Sequence, residues 1–102
     1  MAMAEFTVVP LDKGESVSEY VAKVLELVDA SGLDYQFTPM ATIVEGDLDK
    51  VVGLVLECHK KMRDISSRVI TTLKIDDREG VTDGLSKKVK SVEGRLGKEL
   101  KK

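Results

Sequence analysis

Leu33-Asp-Tyr-Gln-Phe-Thr-Pro-Met-Ala-Thr-Ile-Val-Glu45 decides the fold, because it holds two extended runs with no helix between them. Leu33 to Phe37 reads as one strand, Thr38-Pro-Met-Ala interrupts it, and Thr42-Ile-Val-Glu45 reads as the next. So short a spacing favours an antiparallel hairpin. Segments of helical period flank it on both sides. Upstream, Val17, Tyr20, Val21, Val24, Leu25 and Val28 recur at helical spacing, which predicts a helix near 16–31. Ser16-Val-Ser-Glu19 reads as its capping box: the Ser16 hydroxyl accepts the Glu19 N–H, and the Glu19 carboxylate accepts the Ser16 N–H. Gly32 is placed to end that helix in a left-handed conformation. Downstream, Gly46-Asp47 breaks the strand and Asp47 can cap a second helix. Its stripe is Leu48, Val51, Val52, Val55, Leu56, His59 and Met62, and it should end near Asp64.

Beyond the helices lie two more extended runs. Ala4 to Leu11 alternates Ala4, Phe6, Val8 and Pro10 with Glu5, Thr7, Val9 and Leu11, and Pro10 should end regular pairing. Asp12 to Glu15 is a turn. Ser67 to Arg78 is the longest strand, with Val69, Thr71, Leu73 and Ile75 on one face and Ile70, Thr72, Lys74 and Asp76 on the other. After a loop with cap residues Thr82 and Asp83, a last helix over about 83–99 carries the narrow seam Leu85, Val89, Val92 and Leu96. Gly94 and Gly97 weaken it by about 1 kcal/mol each relative to alanine, so it needs a docking surface.

The order is β-α-β-β-α-β plus a terminal helix. Right-handed crossovers then give an α+β, ferredoxin-like sandwich: four antiparallel strands under two helices, in a single domain spanning 1–102. The helices cover one sheet face. The first strand is apolar on both faces and the last carries Ile70 on its second face, so the uncovered face needs a partner. A second copy of the chain is the simplest one.

Composition excludes several classes. The 102 residues are 42 % apolar and 33 % charged, as in a globular domain with one core. Aromatics are limited to Phe6, Tyr20, Tyr35 and Phe37, so valine, leucine and isoleucine must fill that core. No apolar run approaches the ~20 residues that cross a bilayer, and Met1 to Glu5 lacks signal-peptide blocks. A cytoplasmic protein without membrane contact is expected. The net charge of −2 combines a tail of +5 over 85–102 with −7 over 1–84. Lysines near a helix C-terminus complement its dipole, and an acidic body without interleaved aromatics argues against nucleic-acid binding.

Reactive side chains are few. Cys58 alone excludes an internal disulfide, and with one histidine it excludes the usual zinc sites. Cys58 and His59 are adjacent, so on a helix they point about 100° apart and do not converge on one reacting atom. A buried thiol and a hydrogen-bonded histidine are expected. No cofactor is implied, since neither GxGxxG nor GxxxxGK[ST] occurs. Two polar clusters remain. Lys74-Ile-Asp-Asp-Arg78 brings Lys74 and Asp76 to one strand face, where carboxylates can bind a cation. Thr38, Thr42 and Glu45 on the hairpin can line a pocket.

Taken together, Glu5-Phe-Thr-Val-Val-Pro10, Ser16-Val-Ser18, Tyr35-Gln-Phe-Thr-Pro-Met-Ala-Thr-Ile-Val-Glu45 and Arg68-Val-Ile-Thr-Thr-Leu-Lys-Ile-Asp-Asp-Arg78 resemble the small thiamine-binding proteins of the YkoF-like superfamily. The resemblance runs over about residues 3–97, with Ala41 standing where a glycine is expected. It implies a ferredoxin-like fold, a homotetramer of paired sheets, and non-catalytic binding of thiamine or its hydroxymethylpyrimidine moiety. Thr38, Thr42, Glu45 and Thr72 would then meet the aminopyrimidine, and Glu45, Asp76 and Phe37 the thiazolium cation. Only Lys74 and Arg78 could meet a phosphate near this cluster, so the unphosphorylated vitamin fits better. The expected pocket, lined by Thr38, Thr42, Glu45, Thr72 and Asp76, lies at the junction of sheet and subunit. The rivals are a small oligomeric enzyme using His59 as base and a regulatory interaction module.

Overall fold

The computed structural model describes residues 1–14 and 18–80. Its elements are β1 (Ala2–Pro10), α1 (Ser18–Ala30), β2 (Asp34–Phe37), β3 (Thr42–Gly46), α2 (Leu48–Ile65) and β4 (Val69–Asp77). The sheet order is β2-β3-β1-β4, and every pairing is antiparallel. This is the ferredoxin-like α+β arrangement expected from the alternating periods. The capping box at Ser16 and the last helix, with Thr82, Asp83 and the Leu85 to Leu96 seam, lie outside the described residues.

Strand alternation sets the core. Ala4, Phe6 and Val8 of β1 and Val44 of β3 point to the side of both helices and are buried against Val24 and Val28 of α1 and Val51, Leu54, Val55, Cys58 and Met62 of α2. The α2 stripe differs from the expected one. Leu48 and Leu56 stay exposed, while Leu54 and Cys58 are buried. The reason is that α2 packs against α1 as well as against the sheet: the Cys58 Sγ lies 4.0 Å from the Val24 carbonyl oxygen. The wider contact turns the buried arc toward α1.

Local chemistry explains the ends of the elements. Gly32 adopts φ +76° just after α1, as its position suggested. Asp47 stands directly before α2, but its side chain makes no cap bond, contrary to expectation. Its carbonyl instead accepts the Val51 N–H at 2.9 Å, the ordinary first bond of the helix. Gly46 permits close packing, since a Cβ there would stand 2.7 Å from Leu33 Cδ2. At the other end of the sheet, Asp12 ties β1 to the start of β4. Its carboxylate accepts the Ser66 hydroxyl at 2.5 Å, the Ser67 hydroxyl at 2.7 Å and the Ser67 N–H at 2.9 Å.

Candidate functional site

β3 stops at Thr42, opposite Phe6, whereas β1 continues to Pro10. Among the described residues, the last part of β1 therefore has no strand neighbour on that side. The direction of its backbone groups follows from one bond. The Leu11 N–H donates to the Arg68 carbonyl at 2.9 Å, and these two residues continue the β1–β4 register. Antiparallel ladders alternate, so odd-numbered residues of β1 bond toward β4 and even-numbered ones face the other way. The N–H that Pro10 lacks would fall on the unpaired side, which is where a strand tolerates proline. The N–H and C=O of Val8 point into the same gap.

That gap is a cavity of about 160 Å³. Val21, Val24 and Leu25 of α1 line one wall, Phe6 to Val9 of β1 another, and Phe37 to Thr42 the end. The turn is held by Thr38. Its hydroxyl donates to the Ala41 carbonyl at 2.8 Å and accepts the N–H groups of Ala41 and Met40 at 3.1 and 3.3 Å. Phe37 is 53 % exposed and Met40 86 %, so an apolar rim surrounds the opening.

The candidate site residues divide between the two sheet faces. Phe37, Thr38 and Thr42 line the cavity on the helix side. Glu45, Thr72 and Asp76 stand on the opposite, open face. The division follows from alternation: Thr42 and Glu45 are three residues apart on one strand, so they point to opposite sides. On the open face, register aligns Asp34, Glu45, Met3 and Asp76 in one row across all four strands, with Thr7 beside Thr72 further along. Glu45 is 4 % exposed, the most buried carboxylate described.

The reactive pair lies away from both places. Cys58 is fully buried, and burial, with a smaller contribution from the Glu57 charge, pushes its thiol up to about 11. The His59 ring Nδ1 pairs with the Thr71 hydroxyl at 2.6 Å, bridging α2 to β4. Neither lines the cavity. Val8 escaped the sequence reading, although a signal for it existed. A proline inside an apolar strand marks a side without ladder bonds, and Val8 shares that side with Pro10.

Comparison with known proteins agrees with this fold. A family model described as thiamine-binding protein matches residues 4–93. A UPF0045 protein of Methanocaldococcus jannaschii is 36 % identical over 90 residues, covering 88 % of this chain and 90 % of its own length. A UPF0045 protein of Staphylococcus xylosus is 40 % identical over 102 residues, covering 94 % and 95 %. Among solved structures, the M. jannaschii protein superposes with a TM-score of 0.84 at 35 % identity, over 89 % of this chain and 94 % of that one. A candidate thiamine biosynthesis/salvage protein of Thermotoga maritima shares the fold, with a TM-score of 0.77 at 24 % identity over 89 % and 97 %. By its matched length and its relatives, the chain belongs to the thiamine-binding protein family.

Proposed function

We propose that the protein binds thiamine or its hydroxymethylpyrimidine moiety without catalysis, and that the pyrimidine ring enters the cavity between α1, β1 and the β2–β3 turn. The observation that carries this reading is the backbone of Val8, whose N–H and C=O are directed by the ladder into a largely apolar cleft. An aminopyrimidine edge offers the matching acceptor and donor. Phe37 supplies a face for the ring and Thr42 a hydroxyl; the Thr38 hydroxyl is engaged in the turn. The volume of about 160 Å³ lies below the roughly 300–1,000 Å³ of pockets that enclose drug-sized ligands. It suits one ring, with the remainder of the vitamin outside. Absence of chemistry fits the seclusion of Cys58 and the pairing of His59 with Thr71.

A second reading rests on the open face. There Glu45, in a row with Asp34 and Asp76 and near Thr72, would meet the thiazolium at the junction of stacked sheets in a homotetramer. Calorimetry with thiamine, hydroxymethylpyrimidine and their phosphates tests both. We expect the two unphosphorylated compounds to bind with similar affinity, and Thr42→Val to weaken them by about tenfold through one lost hydrogen bond. Thr72→Ala and Glu45→Ala should then have little effect. The reverse pattern selects the open face, and no binding by any of the compounds refutes the function.

A further inference from the structure

We propose that the C-terminal segment, residues 85–96, docks as a helix in a groove between α2 and β4 of its own chain. The groove follows from two periodicities. On α2, the buried residues Val51, Leu54, Val55, Cys58 and Met62 turn toward the sheet and α1. At about 100° per residue, Leu48, Val52, Leu56 and His59 form the adjoining stripe. The His59 ring meets the Thr71 hydroxyl, so this stripe lies on the side of α2 toward β4. On β4, register sets Thr71, Leu73 and Ile75 opposite Val8, Phe6 and Ala4, on the helix side of the sheet. Leu48, Leu56, Leu73 and Ile75 are 39, 52, 37 and 42 % exposed. Together they form an apolar groove floored by β4 and walled by α2.

Chain direction, length and charge select the occupant. β4 ends at Asp77, which pairs with Ala2, and Ala2, Asp47, Leu48 and Asp77 border one cleft. The chain therefore leaves β4 at the end of the groove where α2 begins. Twenty-five residues follow Asp77, of which 81–102 lie outside the described residues. Among them Leu85, Val89, Val92 and Leu96 recur at helical spacing. That seam spans the same number of residues as Leu48 to His59, about 17 Å of helix in either case. A segment returning from Asp77 would run parallel to α2, with Leu85 near Leu48 and Leu96 near His59. Lys87, Lys88, Lys90 and Arg95 stand off the seam, so a tail of +5 meets a body of −7 without burying its charges. Gly94 and Gly97 make this helix poor in isolation, so it forms on docking.

Disulfide trapping reads both the place and the direction of docking. Under mild oxidation of the full chain, Leu48→Cys with Leu85→Cys should close an internal bridge. Leu48→Cys with Leu96→Cys, about 17 Å apart in this arrangement, should not. Hydrogen exchange reads the wild type: the backbone amides of 85–96 should be protected. Leu56→Lys, on the groove wall, should weaken that protection by about tenfold, while Lys90→Gln, off the seam, should leave it unchanged. Unprotected amides over 85–96 in the wild type, undiminished protection in Leu56→Lys, or preferential bridging of the Leu96→Cys pair overturns the proposal. Covalent dimers in place of the internal bridge also overturn it, since the segment then docks on another copy. If a cysteine pair fails to fold by circular dichroism, exchange in the wild type and in Leu56→Lys decides. None of these readouts depends on ligand binding.

Discussion

Asp12 couples its ionisation state to the joint between β1 and β4. Three donors from Ser66 and Ser67 converge on its carboxylate, the Ser66 hydroxyl contributing most, and hold its pKa well below the ordinary carboxylate range. A pKa depressed in the folded state stabilises the protein above the unfolded value, and that contribution is lost as pH falls through the folded one. Asp12→Asn should therefore lower the melting midpoint near neutrality, with the difference from wild type shrinking as pH drops below about 4. Thermal melts across pH check this, and a constant difference down to strongly acidic pH contradicts it. Cys58 gives a second prediction. A thiol pushed up to about 11 and sealed between the helices should react with a maleimide in the native protein at least about 100-fold more slowly than in denaturant.

At the scale of elements, the Gly46–Leu33 contact controls how β3 meets the residue leading into β2. Gly46→Ala places a methyl 2.7 Å from Leu33 Cδ2, and the leucine must leave its seat beside the core. A loss of about 1–3 kcal/mol is expected in urea unfolding, and Leu33→Ala in the same chain should reduce that penalty. The elements themselves were legible because their periods are unmixed. Val24 and Val28 keep a helical stripe, Phe6 and Val8 keep strict alternation, and Gly32 ends its helix as the sequence indicated. The buried arc of α2 was only partly legible. Leu54 and Cys58 belong to a helix–helix contact that a single-helix stripe does not encode. The candidate site was legible as residue types, less so as a constellation. Thr42 and Glu45 are near neighbours in the chain, yet alternation sends them to opposite faces. Val8 presents its backbone to the cavity, and a backbone carries no side-chain signature.

For the whole molecule, the position of β1 has a kinetic consequence. β1 precedes the other described strands yet is an inner strand, and both its neighbours come from later in the chain. β3 pairs with it across roughly 36–44 residues, and β4 across roughly 59–75. Among the described residues, the β2–β3 hairpin is the one local strand pairing. Closing loops of such length before any reward is slow, so the rate of folding should be governed by the β1–β4 pairing. While the chain is being synthesised, the alternating apolar residues Ala4, Phe6 and Val8 wait without their sheet until Asp77 has cleared the ribosome. Until β4 is made, the future centre of the sheet is exposed, and a nascent-chain chaperone would find its binding site in β1.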